Sequence, residues 1–432
     1  MRAEQVAEPA ASGLRQRCLS ALALVALALW VAWWVASVGR GSLILGQYTN
    51  LLPMPWLASD FVSNIDHVAR VKAAGINPYL HPPDLFCALF PYPPTVLRLF
   101  GWVNLASPPS AVKIWLSVLA AVVVSSGYGA WRRRRSLGVS PVPSALAVAV
   151  VAYSAPATSA LERGQLDPLL APVLAAAAWL LGGGGVGREL AAGALLGAAA
   201  WVKYYPGAIL FGLLALRRWR GAAAFLIVAG AIGLIDRVEV ARSIENGRAL
   251  AKTRQGARIP VHALSHSITG EWSSLDVVTR LPPLRRIPGP VAAFVLIGPA
   301  VALVARRVSR AGGDRRLTAP FFFWLTAAAT FAMPYSNDYN LMPLVLAAVA
   351  VWDRRDPPWV HVVLASLLVC WQPLALPISG QFIFAVKLAA LYAVGASLSS
   401  RCESAPSAPI DPFLAGRHAR ASSPSSPAQS RS

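Results

Sequence analysis

Asp60 is the first acidic residue after Glu8, and it stands between Ser59 and Phe61 just beyond the first long apolar run. Two compact clusters follow it, Gly75-Ile76-Asn77-Pro78-Tyr79 and Phe90-Pro91-Tyr92-Pro93-Pro94. A carboxylate at the mouth of a first membrane helix can take the proton of an attacking hydroxyl. The apolar remainder of the chain can then wall a cavity for a lipid-linked reactant. A second reading of Asp60 is structural, because Ser-Asp pairs favour helix N-caps. Asp66 is the alternative base.

Other polar residues fall between apolar runs. Lys203 follows one such run, where an ammonium can neutralise a departing phosphate or simply snorkel to the interface. Arg163, beside Glu162 and Gln165, carries the same two readings. The segment 236–289 is rich in base, including Arg237, Arg242, Lys252 and Arg280. It can draw phosphates or an anionic acceptor lipid, or form a solvated loop without a ligand. His262 and His266 have the i,i+4 spacing of a helical metal site, but only a distant Glu271 accompanies them, so no metal is expected. Aspartate doublets for a metal-bound nucleotide are absent, and no cofactor is expected. The four cysteines show no pairing pattern.

The elements that must position these residues are helices in a bilayer. Charged residues make up 13% of the chain, about half the share of a soluble domain. Apolar runs at 19–38, 111–131, 320–333, 360–373 and 382–398 approach or exceed the ~18–20 residues that cross a bilayer as a helix. They lack the alternation of a membrane barrel. The net charge of +20 sits in short arginine clusters at 132–135, 217–220, 306–310 and 354–355. Topology explains that placement better than nucleic acid does.

With those clusters in the cytoplasm, the expected fold is an all-α polytopic bundle of about 12 transmembrane helices, with both termini inside. Further spans are expected near 142–155, 166–181, 190–202, 206–216, 222–235, 291–305, 317–333, 341–352 and 360–376. The organisation expected is a cytoplasmic segment 1–18, a membrane domain 19–398 with outer loops 39–90 and 236–289, and a disordered tail 399–432. Residues 92–107, studded with proline, read as a juxtamembrane element. Lys387 lies inside the last expected span. A transporter or flippase is the competing class, although such proteins place ionisable groups at midplane and show internal repeats. A membrane partner without activity is the third.

The ordered set resembles glycosyltransferase family 87. It comprises Asp60-Phe61, the two clusters above, Gly164-Gln165, and Lys203-Tyr204-Tyr205-Pro206. The resemblance implies a GT-C-like membrane enzyme at the cell membrane. Such an enzyme moves mannose, with inversion, from a polyprenyl-phosphate sugar to a lipid or cell-envelope glycan on the outer face. It places Asp60 at the catalytic position. Substrate binding falls to Asp66, Asn77, Tyr79, Tyr92, Arg163, Gln165, Lys203, Tyr204 and Asp338. Family members often carry a histidine near residues 334–340, where this chain has Tyr335, Asp338 and Tyr339.

Overall fold

The computed structural model describes residues 18, 21, 25, 28–40, 57–79, 92–136, 151–245, 267–272, 275–311, 315–333, 338–351 and 380–404. Every regular element among them is helical. The expected span at 360–376, the His262/His266 pair and the tail beyond 404 lie outside the described residues, as does the side chain of Asp338.

Helix α1 covers 28–40. Helix α2 covers 59–73, built from Ser59–Phe61, a wider π turn at Val62–Asp66, and His67–Ala73. Then come α3 (Pro94–Leu99) with a 3-10 turn at Gly101–Leu105, and the long α4 (Pro108–Ser136). Short α5 (Ala155–Arg163) precedes α6 (Asp167–Gly182) and α7 (Val186–Ala199). A 3-10 turn at Tyr205–Ala208 leads into α8 (Ile209–Ala215), followed by α9 (Trp219–Ile235) and α10 (Arg237–Glu245). The chain closes with α11 (Gly289–Arg310), α12 (Arg315–Ala332), α13 (Met342–Val351) and α14 (Gly380–Ser404).

Helix α13 is apolar all round and all ten of its residues are buried, as expected of a central helix. Around it, α12 buries Phe321, Phe322, Trp324 and Phe331. Trp324 donates to the Leu391 carbonyl of α14 at 2.8 Å, which satisfies its only donor. Helices α7 and α9 meet backbone to backbone at glycine. A Cβ on Gly193 would strike the Gly221 carbonyl, and one on Gly197 would lie 2.6 Å from the Phe225 carbonyl. This small-xxx-small spacing is how helices approach closely where lipid supplies no hydrophobic drive.

The expected number of spans is not reproduced among the described residues. Two helices are long and apolar enough to cross a bilayer, Pro108–Gly129 within α4 and α11 (Gly289–Arg310). Counting α9 with α10, bent by 88°, gives a third. Helices α6, α12 and α13 are apolar but hold only 10 to 18 residues. At 1.5 Å per residue they reach about 15–27 Å, short of the ~30 Å core. Helix α14 runs to Ser404, so residues 399–404 are helical where a disordered tail is expected.

Candidate functional site

Two left-handed corners set Asp60. Ala58, immediately before α2, has φ 63°, and Gly164, closing α5, has φ 68°. The Ala58 amide donates to the Glu162 carbonyl at 2.6 Å. A Cβ on Gly164 would lie 2.8 Å from the Phe61 Cβ and 2.9 Å from the Ala58 Cβ, so only glycine allows α2 to dock there. The α4 residue Trp115 stacks on Phe61 at 5.5 Å and donates to the Gly164 carbonyl at 2.8 Å, clamping both corners. The start of α2 thereby lies against the end of α5.

Arg163 grips Asp60 with both arms, Nε to Oδ2 at 3.0 Å and a terminal nitrogen to Oδ1 at 3.1 Å. This two-point fork is the strong form of the pairing. The Gln165 amide also donates to Oδ2. Two donors therefore occupy Oδ2 and one occupies Oδ1. Because a carboxylate offers about four acceptor positions, Oδ1 retains one. The Asp60 side chain as a whole is 14% exposed.

The orientation of Gln165 is dictated from its far end. Its Oε1 accepts from the Tyr92 hydroxyl at 2.8 Å and from the Lys203 ammonium at 3.2 Å. Burial, then the charges of Asp60 and Asp167, hold the Tyr92 phenol far above its usual titration range, which keeps it a donor. Two donors at Oε1 turn the NH2 group toward Asp60. Lys203 in turn donates to Asp167 at 2.6 Å, and Tyr205 and Asn340 donate to the other Asp167 oxygen. The Asp167 side chain is wholly buried, and such a charge persists only when paired and hydrogen-bonded. The chain of contacts runs Asp60, Gln165, Lys203, Asp167, Asn340.

A second branch joins at the Tyr92 carbonyl, which accepts from Tyr79 at 3.5 Å and from Ser243 at 3.4 Å. Ser243 shares a 2.9 Å hydrogen bond with the Tyr204 hydroxyl. Asn77 is spent locally, its Oδ1 accepting from the Tyr79 amide at 2.9 Å in a turn that aims Tyr79. Glu162 is buried beside Arg163 and Asp60, and burial pushes its carboxyl from 4.5 up to about 7.

Asp60, Tyr79, Tyr92, Arg163, Gln165, Lys203 and Tyr204 thus converge. Asp66 does not. It is bound by Arg70 through both oxygens, at 2.9–3.1 Å, and Arg70 also reaches the Ala106 carbonyl at 3.0 Å. Asp66 thus ties α2, through Arg70, to the end of the 3-10 turn of 101–105. The N-cap reading of Asp60 is corrected. Ala58 occupies the capping position, no side chain caps the helix, and Asp60 lies inside its first turn.

Sequence reasoning missed Asp167 and Ser243, and gave Tyr205 and Asn340 no role of their own. One signal was present. No other charge occurs between Arg163 and Asp167 or between Asp167 and Arg188, and Lys203 is alone between Glu189 and Arg217. Two isolated opposite charges in apolar surroundings must find partners.

Residues 90–241 match the sequence model of Glycosyltransferase family 87. The chain is accordingly a glycosyltransferase, and its apolar helices make it one of membrane type. The matched segment contains Tyr92, Arg163, Gln165, Asp167, Lys203 and Tyr204, whereas Asp60 and Asn340 lie outside it. No curated protein and no solved structure matches the chain.

Proposed function

We propose that this family 87 glycosyltransferase moves a hexose, mannose by resemblance, from a polyprenyl-phosphate sugar to a lipid or cell-envelope glycan. The reaction takes place on the outer face of the cell membrane with inversion at the anomeric carbon. Asp60 is the general base. The observation that carries the reading is the open acceptor position on Oδ1, on a carboxylate otherwise fixed by Arg163 and Gln165.

The acceptor hydroxyl donates to Oδ1 and loses its proton there as it attacks the anomeric carbon. The bond from that carbon to the phosphate oxygen breaks on the opposite face, and the prenyl phosphate leaves with the bonding pair. The Arg163 fork and the Gln165 amide hold the base within its narrow working geometry. Lys203 is committed to Asp167 and Gln165, so in this reading its part is to orient Gln165. Charge on the leaving phosphate falls to the arginines of α10, Arg237 at its start and Arg242 next to the site residue Ser243.

The test is transfer from a labelled polyprenyl-phosphate sugar by membranes carrying Asp60→Asn. Asparagine keeps the shape and removes the base, so turnover is expected to drop by about 10²–10⁴. Wild-type turnover by that variant would remove Asp60 from the mechanism.

A further inference from the structure

Helix α10 is turned inside out. Its inward face is polar. Asp236, at its start, binds Arg98, Glu239 meets Lys72 at 2.9 Å, and Ser243 bonds both the Tyr92 carbonyl and Tyr204. Its outward face carries Val238, Ala241 and Ile244, with Val238 55% and Ile244 45% exposed, bordered by the exposed charges Arg237 and Glu245 near its two ends. A soluble helix shows the opposite arrangement, with its apolar stripe toward the core.

The exposed stripe does not begin at α10. It continues from α9, where Leu226, Ile227, Leu234 and Ile235 are 56 to 73% exposed. Helix α9 is apolar from Gly221 to Ile235 and opens at Arg218, Trp219 and Arg220, as a helix entering a bilayer from a basic, aromatic border would. Between the two helices the axis turns by 88°. If α9 stands along the bilayer normal, a right-angle turn lays α10 in the membrane plane.

We propose that α10 docks flat in the lipid interface, on the membrane face that carries the site. Leu234, Ile235, Val238 and Ile244 then face the acyl boundary, while Arg237 and Arg242 lie at headgroup level. The chemistry is that of an interfacial helix, with apolar residues entering the acyl boundary and arginine meeting lipid phosphate. Here the other face is covered by protein instead of water. The polar face of the docked helix thereby forms one wall of the site, through Ser243. The alternative geometry is a broken span, in which α10 carries on across the bilayer.

Depth distinguishes the two. Nitroxide labels placed singly at residues 238, 241 and 245, all on the exposed face, are measured in the full chain without its native cysteines. The protein is reconstituted in phosphatidylethanolamine–phosphatidylglycerol vesicles, and each label is read by relaxation from oxygen against a water-soluble nickel complex. A flat helix gives three depths that agree within about 3 Å, near the headgroup–acyl boundary. A broken span gives depths differing by about 10 Å from 238 to 245, since a helix rises 1.5 Å per residue, and would overturn the proposal. So would nickel collisions typical of bulk water. Dipolar broadening that vanishes on dilution with unlabelled protein would overturn it in favour of a second copy on this face. If one labelled variant fails to insert, the remaining pair decides. The readout needs no sugar transfer, so it stands or falls apart from the assignment of donor and base.

Discussion

The buried pair Lys203–Asp167 is best tested by a thermodynamic cycle. The two groups lie 2.6 Å apart, the Lys203 side chain 11% exposed and the Asp167 side chain not at all. Lys203→Met leaves a buried carboxylate with only the neutral donors Tyr205 and Asn340. Removing one partner of such a pair costs about 3–5 kcal/mol. Asp167→Asn leaves the ammonium uncompensated and should cost a similar amount. The double variant buries no unpaired charge. Its cost should fall short of the sum by about 2–3 kcal/mol, the range found for strongly coupled neighbours.

Unfolding in mixed micelles, titrated with denaturing detergent and followed by circular dichroism, gives the four free energies. Transfer assayed on the same preparations adds the second half of the argument. Without Lys203, the Gln165 oxygen keeps only Tyr92 and no longer fixes the amide toward Asp60. A hydrogen bond to a charged group is worth about 1.5–3 kcal/mol, so the folded double variant should transfer sugar about 10- to 100-fold more slowly. Additive single losses would refute charge coupling between the two residues. Wild-type transfer by the double variant would refute the orienting role of Lys203.

Three further outcomes are expected. Glu162 has a carboxyl raised to about 7 in the folded chain against 4.5 as its ordinary value. Between these values the unfolded chain ionises first, so stability falls as pH rises through that window and levels off above about 7, a loss of about 3 kcal/mol. Glu162→Gln should remove this slope, and parallel unfolding series from pH 4 to 8 that share the same slope would contradict it. Gly164→Ala forces an alanine into a left-handed corner against Phe61 and Ala58. It should cost at least about 1 kcal/mol and displace Asp60, lowering kcat more than donor KM in steady-state assays. Gly193→Ala should drive α7 from α9 and cost about 1–3 kcal/mol, whereas Gly230→Ala, with open space around it, should gain about 0.5–1 kcal/mol. Thermal melts of the two variants side by side make the comparison.

Much of the helical layout was legible because apolar runs and arginine clusters are one-dimensional signals. The runs expected at 166–181, 222–235 and 291–305 correspond to α6, α9 and α11 with ends shifted by a few residues. Crossing the bilayer was harder to read. Apolar sequence is equally suited to lipid and to a protein interior, and α13, apolar on every side, is wrapped by its neighbours. The ordered motifs marked the neighbourhood of the site, since Gly164-Gln165 and Lys203-Tyr204-Tyr205 stand out from their apolar flanks.

The sequence by itself determined the helical class, the isolation of a few charges in an apolar chain, and a motif spacing that resembles family 87. Only the tertiary structure decided how those charges are shared. Asp60 and Asp66 are six residues apart on α2, yet one meets Arg163 across the fold and the other its own neighbour Arg70. Partner choice depends on which helix ends the packing brings within about 3 Å, and on which buried charge finds a counter-charge there. Sequence separation carries no record of that distance, as the pairing of Asp167 with Lys203 and Asn340 makes plain.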